Sequence, residues 1–556
     1  MRDNVILLRL PSAPRTASRA LAPVLLAASL LGLTGCGGSS KHHTTIPSRP
    51  NGKVVRPASA RRPLISIFEA PGQLITAPGS TLDELRRLGV QYVRVMVPWA
   101  SVAPDPTSSR APAGFDASSP SAYPASGWST YDAIITAAAA RGIGVQLNPT
   151  SPVPQWAVGP GEPAKHITGV WRPSASGFGQ FVRALATRYS GHYTPPGASS
   201  SLPRVSFWSV WNEPNYGSDL APQAVERNTL ESSAIMYRRL LDGAWSALQQ
   251  TGHGSDTILI GELAPTGITG PGFPGNFSGM VPLRFLRALY CVDESLHPLR
   301  GAAATARGCP ANAAGSARFA AQHPALFDAG GMAVHPYSQG ALAPNAIIPN
   351  QPDFSTLAAL FRLERQLDAM TGAYGSSAHL ALYSTEYGYM TNPPFAAGVP
   401  MALAPDYLNW AEYLSWLDPR IHSFDQYLLA DPPASSPSQF DTGLEFAAGN
   451  PKPTLGAFRL PLYLPRTSAV KGQALEVWGC VRPARYATGP GADRAEIQFS
   501  PGAGKPFRTV QTVDVTPQDC YFDVRVAFPS SGLVQLAWAY PHGATIESRQ
   551  VPVTIS

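Results

Sequence analysis

The chain has 556 residues, 44% of them apolar, with 57 prolines and 50 glycines. It is too long for one ordinary domain, has ample material for large cores, and is too rich in turn formers for a bundle of long helices. The net charge of +6 is concentrated in residues 1–61, which carry nine Arg/Lys and one Asp; the other 33 basic and 35 acidic residues leave the remainder at −2, which removes the electrostatic case for a nucleic-acid partner.

Arg2, Arg9, Arg15 and Arg19 precede an apolar run from Leu21 to Leu33. That run is too short to span a bilayer as a stable helix and has the length of the apolar part of an export signal. It ends in Leu33-Thr34-Gly35-Cys36, followed by Gly37-Gly38-Ser39-Ser40. This resembles the bacterial lipoprotein box, in which residues 1–35 are removed and Cys36 is lipidated. A plain secretory signal with a chance cysteine is the alternative. Both place the mature chain outside the cytoplasm, the first anchored to the outer face of the cell membrane. Residues 36–61, polar and rich in Ser, Pro and basic side chains, read as a flexible tether.

From Leu64 onward, short apolar runs alternate with helical stretches, the pattern of βα units. The strand candidates are Leu64–Phe68, Tyr92–Val97, Gly144–Asn148, Val205–Trp211, Ile258–Gly261, Gly331–His335, Leu380–Thr385 and Ser423–Leu428. Between the first two, Ser80 can cap a helix whose Leu82, Leu85 and Leu88 share a face and which Gly89 ends. Phe178, Phe181, Val182, Leu185 and Tyr189 make a second stripe. Eight such units predict an α/β chain closed into a (β/α)₈ barrel over residues 62–464. An open doubly wound sheet is disfavoured because no Gly-rich phosphate fingerprint follows the first strand.

The segment between Gly261 and Gly331 is longer than a βα connection needs. It is either part of a cleft wall over the barrel mouth or a plain surface insertion. After Pro465 the helical pattern stops and alternating runs with Gly/Pro turns predict a small all-β sandwich over residues 465–556. Trp538 and Tyr540 are there either as core or as a sugar platform. Four cysteines besides Cys36 fall into two close pairs, Cys291 with Cys309 and Cys480 with Cys520. In an exported chain these are expected to be disulfides, and no Cys-x-x-Cys spacing suggests a metal site.

The chemistry concentrates in two strings. Trp211-Asn212-Glu213-Pro214 ends the fourth strand run, and Thr385-Glu386-Tyr387-Gly388 ends the seventh. Carboxylates at the C-terminal mouth of a barrel lie where active sites of this fold form. Two of them suit glycoside hydrolysis: Glu213 as the acid that protonates a leaving oxygen, Glu386 as the ionised nucleophile. The alternative is a Glu213 that merely caps the next helix. Arg94 in the second strand needs a carboxylate partner if it faces inward, or pairs in the helix layer if it faces out. His335 and Tyr337 sit two apart at the end of the sixth strand and can face one side together. Asn212 can bond a sugar hydroxyl. Trp99, Trp156, Tyr387, Tyr389 and Tyr427 lie near strand ends, where aromatic faces can line sugar subsites or serve as packing.

These residues resemble glycoside hydrolase clan A over about residues 64–460. Asn212-Glu213-Pro214 is similar to its acid/base signature and Thr385-Glu386-Tyr387-Gly388 to its nucleophile strand. Arg94, His335, Tyr337 and the tail of Gly443-Leu444 followed by Lys452-Pro453 match positions that recur there. Pro154-Gln155-Trp156 and the appended sandwich lean towards families thirty-nine and five. Tyr427 stands at strand eight where many members carry tryptophan. The resemblance implies a retaining β-glycosidase acting on an oligo- or polysaccharide, with Arg94, Asn212, His335, Tyr337, Trp99, Trp156 and Tyr427 binding substrate and with no metal or organic cofactor. A surface-anchored carbohydrate-binding protein with an idle barrel, or a transglycosylase, are the alternatives. The near-neutral folded part, without heptads, suggests a monomer.

Overall fold

Eight of the apolar runs form strands: β1 (Ile65–Glu69), β2 (Tyr92–Pro98), β3 (Gly144–Thr150), β4 (Phe207–Ser209), β5 (Thr257–Leu263), β6 (Gly331–Val334), β7 (Leu382–Ser384) and β8 (Ile421–Tyr427). In this computed structural model, which describes residues 63–436, 439–516, 519–541 and 543–556, they pair in parallel all the way round, β8 closing onto β1. Every run identified from the sequence is one of these strands, with ends shifted by at most two residues. β4 is the shortest relative to expectation: it stops at Ser209, so Trp211-Asn212-Glu213 lies beyond it rather than on it. The export signal, Cys36 and the tether lie outside the described residues.

Helices connect the strands: α1 (Pro78–Arg87), α2 (Ala125–Ala139), α3 (Ala175–Arg188), α4 (Ser232–Gln250), α5 (Pro282–Leu289), α6 (Ala313–Gln322), α7 (Leu360–Gly372), α8 (Ala404–Leu417) and α9 (Pro453–Arg459). Leu82 and Leu85 of α1 and Leu88 just beyond it are buried as expected, but Ser80 is no cap. The helix starts two residues earlier with Pro78, whose fixed φ suits a first turn, and Ser80 Oγ turns back to Ala77 O at 3.3 Å. Gly89 ends the helix with φ 80°, and a Cβ there would strike the backbone of Arg482.

Strand alternation sorts the barrel into layers. Val93, Val95, Val97, Leu147, Trp208, Ile258, Ile260, Met332 and Phe424 face out and join the core shared with the helices. Ile67, Phe207, Leu259, Ala333 and Tyr383 face in, forming a small separate core that plugs the interior with Ile65 and Tyr92 packed on it. Two positions further along the same inner faces come Glu69, Arg94 and Thr385. The apolar plug therefore gives way to a polar layer towards the C-terminal ends of the strands.

The C-terminal part consists of two sheets. β9 (Leu462–Tyr463), β11 (Leu475–Cys480) and β14 (Tyr521–Val526) form one. The other contains β10 (Ser468–Ala469), β17 (Val551–Ile555), β15 (Gly532–Ala539), β12 (Arg494–Ser500) and β13 (Arg508–Asp514), with β16 (Thr545–Glu547) on β15. Val477 and Phe522 from the first sheet share a core with Ile497, Leu536 and Val553 from the second. Trp538 belongs to that core, 1% exposed, its indole N–H donating to Ala492 O, so it offers no face to a sugar. Tyr540 donates to Arg87 O of the barrel. The two parts are joined by a buried ion pair, Arg482 Nη2 to Glu412 Oε1 at 2.6 Å, with the Tyr521 hydroxyl donating to the same oxygen at 2.7 Å.

Both expected disulfides are formed, Cys291–Cys309 and Cys480–Cys520. They point to a compartment outside the reducing cytoplasm, and among the described residues no helix is long and apolar enough to cross a membrane. Cys480–Cys520 ties β11 to the chain entering β14 across a separation of 40 residues. Loop-closure entropy of that span predicts that Cys480→Ser with Cys520→Ser lowers stability by about 4 kcal/mol. Urea titration followed by intrinsic tryptophan fluorescence checks this; an unchanged midpoint would refute it.

Candidate active site

Arg94 is the centre of the polar layer. It projects from the inner face of β2, and its guanidinium is fully buried. Nη1 donates to Glu69 Oε1 at 2.7 Å and to Glu386 Oε1 at 2.8 Å; Nη2 donates to Asn212 Oδ1 at 2.7 Å and to Glu262 Oε2 at 3.2 Å. The inward reading of Arg94 is therefore the one the fold adopts. One cation holds together groups from β1, β5 and the segments beyond β4 and β7. Burial alone would pull its pKa down, but Glu262, Glu69 and Glu386 hold it well above the ordinary value.

Glu213 and Glu386 come together. One ligand-type atom each of Glu213, His335 and Glu386 lie within 4.8 Å of one another. His335 Nδ1 is 2.8 Å from Glu213 Oε1 and 3.5 Å from Glu386 Oε2, and its Nε2 is 2.7 Å from Glu262 Oε2. The Tyr337 hydroxyl donates to Glu386 Oε2 at 3.2 Å. Asn212 is fixed at both ends, since its Nδ2 donates to Asp219 Oδ1 at 3.0 Å while its oxygen takes Arg94. Glu213 reaches this position with φ 34° and Trp211 with φ 70°, left-handed conformations that cost of order 1–3 kcal/mol each and cluster at functional sites.

The electrostatics follow from burial and from an excess of acid. Burial pushes the Glu386 carboxyl up, against the pull of His335 and Arg94, so the ionised state expected of it depends on these two cations. Burial would depress His335, but Glu386, Glu213 and Glu262 raise it well above the ordinary histidine range. Glu262, although buried, is held at about 2 by Arg94 and His335. Burial pushes Glu69 up to about 8 despite Arg94. Asp219 is pushed up to about 7 by burial and by Glu213.

Glu213, His335 and Glu386 are the one group among the described residues with three ligand-type atoms this close. Both ring nitrogens of His335 face carboxylates, Nδ1 towards Glu213 and Nε2 towards Glu262.

Not every expected site residue is here. Trp99 is fully buried in the helix layer, stacked on Phe181 and edge-on to Phe178 of α3, because the chain turns outward after Pro98. It cannot bind substrate directly in this arrangement. Trp156 is half-buried, packs edge-to-face on Trp99 and Phe115, and donates its indole N–H to Pro104 O. It belongs with that aromatic cluster rather than with the carboxylates. Tyr387 is also fully buried, stacked on Tyr337. Tyr427 does stand at the cluster, half-buried at the end of β8 with its ring against Phe440.

Four acids escaped the sequence reading: Glu69, Glu262, Asp219 and Asp425. Glu69 was detectable, since it is a charge closing the apolar run of β1, the signal that marked Arg94; Asp425 lies in β8, whose Ile421-His422-Ser423-Phe424-Asp425-Gln426-Tyr427 sequence is largely polar and hides it. The long β5–β6 connection divides between its two readings. Residues 264–280 support the Glu213 loop, with Asn215 Nδ2 donating to Ala264 O and Met280 O. The disulfide half packs on α4, where Arg238 Nη1 donates to Leu289 O.

No protein-family model matches this sequence, and no curated protein matches it. Among solved structures it is similar to a glucosidase from Croceicoccus marinus (13% identity, TM-score 0.44, covering 89% of this chain and 96% of that one). It is also similar to a GH39 enzyme from Xanthomonas axonopodis pv. citri (13%, 0.43, 85% and 94%) and to a family 39 glycoside hydrolase from Bacteroides cellulosilyticus WH2 (14%, 0.41, 84% and 79%). The closed parallel barrel, read from strand pairing, stands independently of these likenesses.

Proposed function

We propose that this chain is a retaining β-glycoside hydrolase that cleaves an extracellular oligo- or polysaccharide by double displacement. The observation that carries the reading is the approach of Glu213 and Glu386 to within 4.8 Å, atom to atom, at the C-terminal mouth of a closed barrel. One oxygen of each lying this close fits the short separation, about 5–5.5 Å, at which retaining enzymes hold their two carboxyls.

Glu213 protonates the departing glycosidic oxygen while Glu386 attacks the anomeric carbon. The sugar–oxygen bond breaks and an ester to Glu386 forms. Glu213, now a carboxylate, takes a proton from water, whose oxygen displaces Glu386 and regenerates both groups. Arg94 and Tyr337 donate to Glu386 and keep it ionised and aimed. Asn212, held by Arg94 and Asp219, presents its remaining amide hydrogen to the sugar hydroxyl beside the reacting carbon. Tyr427 and Phe440 form the wall beyond. The Leu33–Cys36 box supports a lipid-anchored location, with the carbohydrate met outside the cell.

Stereochemistry tests this. Proton NMR during hydrolysis of an aryl β-glycoside is expected to show the β-anomer of the free sugar first, with the α-anomer growing in only by mutarotation. Initial release of the α-anomer would rule out the double displacement.

A further inference from the structure

We propose that Glu262 is a positioning residue that keeps His335 an imidazolium, so that the His335 Nδ1–H occupies Oε1 of Glu213 and leaves Oε2 as the oxygen that carries the acid proton. The inference rests on the reading of Glu213 as the acid and Glu386 as the nucleophile.

A single oxygen, Glu262 Oε2, accepts from His335 Nε2 at 2.7 Å, Thr385 Oγ1 at 2.7 Å and Arg94 Nη2 at 3.2 Å. It thus touches the group that contacts Glu213, the group that contacts Glu386, and the residue preceding Glu386. A neutral imidazole donates from only one nitrogen. With Nε2–H committed to Glu262, a neutral His335 would present a bare Nδ1 to Glu213. The Glu213 proton would then sit on Oε1 and point at the ring, away from any leaving group. A doubly protonated ring reverses this: Nδ1–H donates to Oε1, and the proton to be transferred resides on Oε2.

The backbone is built to deliver this carboxylate. Alternation along β5 turns Leu259 and Gly261 inward, which would aim Glu262 at the helices. Instead the β5–β6 register shifts between Gly261 and Leu263, and Glu262 adopts φ 47°. A bulge of this kind re-aims a side chain, and here it sends a fully buried carboxylate inward.

The other titratable groups around the pair are Arg94 on β2, Glu69 on β1 and Asp425 on β8, together with Glu213, Glu386 and Tyr337 beyond β4, β7 and β6. Tyr237 faces Glu262 from α4, with its hydroxyl committed to Val210 O. Acids dominate this field, which favours a charged ring, and Glu262 is the one that touches Nε2.

The test uses the full chain and Glu262→Gln, which keeps the shape and removes the charge. Long-range ¹H–¹⁵N spectra of histidine-labelled protein, with the His335 signal identified by its loss in His335→Asn, are expected to show both ring nitrogens protonated at neutral pH in the parent and only one in Glu262→Gln. A neutral His335 in the parent overturns the proposal without any variant, as does an unchanged ring in Glu262→Gln. Kinetics supply the second readout, on phenyl and 2,4-dinitrophenyl β-glycosides of the sugar the parent turns over. The phenyl substrate needs protonation of its leaving oxygen, so Glu262→Gln is expected to lose about tenfold or more in kcat/KM there, with little loss on the dinitrophenyl substrate. Equal losses on both would place the effect on Glu386 instead and overturn the assignment. Failure of the glycosidase reading looks different: no turnover by the parent, with the histidine spectra still deciding the protonation of His335.

Discussion

Glu386→Ala is expected to reduce aryl β-glycoside turnover by on the order of 10⁵-fold, because removing a nucleophile abolishes the covalent route rather than slowing it. Sodium azide should restore much of the loss and yield the α-glycosyl azide. Azide enters the space the carboxylate vacates, its nitrogen bonds to the anomeric carbon, and the aryl oxide leaves from the opposite face with its proton from Glu213. Glu213→Ala should behave differently. A 2,4-dinitrophenyl leaving group needs no acid, so the glycosyl-enzyme still forms. Azide then attacks that ester from the face left open and gives the β-glycosyl azide. Opposite anomers from the two variants identify which glutamate does what. Unimpaired turnover by Glu386→Ala would remove it from the mechanism, and absence of turnover by the parent on aryl glycosides and polysaccharides, with binding retained, would favour a carbohydrate-binding protein.

The second large effect is expected at Arg94, on stability as well as rate. Arg94→Met leaves Glu69, Glu262 and Glu386 buried around an apolar side chain. Breaking a buried ion network from one side costs about 3–5 kcal/mol, because the Glu262 carboxylate, ionised in the parent, is left desolvated without its cation. The loss should depend on pH in a defined sense. Glu262 is held at about 2, well below the usual carboxylate range. Its ion pair therefore contributes fully above that range and is lost progressively as pH falls from the usual carboxylate range through about 2. Without Arg94 the carboxylate should titrate higher, so the gap between parent and variant is largest near neutrality and narrows on acidification. Urea titrations at pH 7 and pH 3 measure this; equal stability of the two chains at pH 7 would mean that Arg94 does not hold the cluster together.

Parts of this arrangement are legible in the linear sequence. Strands buried on both sides of a barrel wall tend to read as apolar runs, which made those such as β2 and β5 visible, and a charge inside such a run stands out, as Arg94 did, whereas β8 is largely polar. The two glutamates were visible for the same reason, each following an apolar run where a strand reaches the barrel mouth. Trp99 and Trp156 show where proximity along the chain misleads. They lie only a few residues past strand ends, yet the turn after Pro98 carries the first into the helix layer, and the second packs against it.

What the sequence by itself determined is which side chains of each strand share a face, because the period of two is a local property of extended backbone. That was enough to put His335 and Tyr337 on one side and to single out Arg94 as a charge in an apolar run, while its inward direction came from the closed barrel. Only the tertiary structure decided which of these groups meet. Closure of β8 onto β1 brings Glu69, Arg94 and Glu386 to one point although they are far apart in sequence. Glu262 is the sharpest instance: local alternation points it at the helices, and a register shift against β6 turns it to the centre. A bulge arises from pairing between two strands, so no pattern within β5 alone could have revealed it.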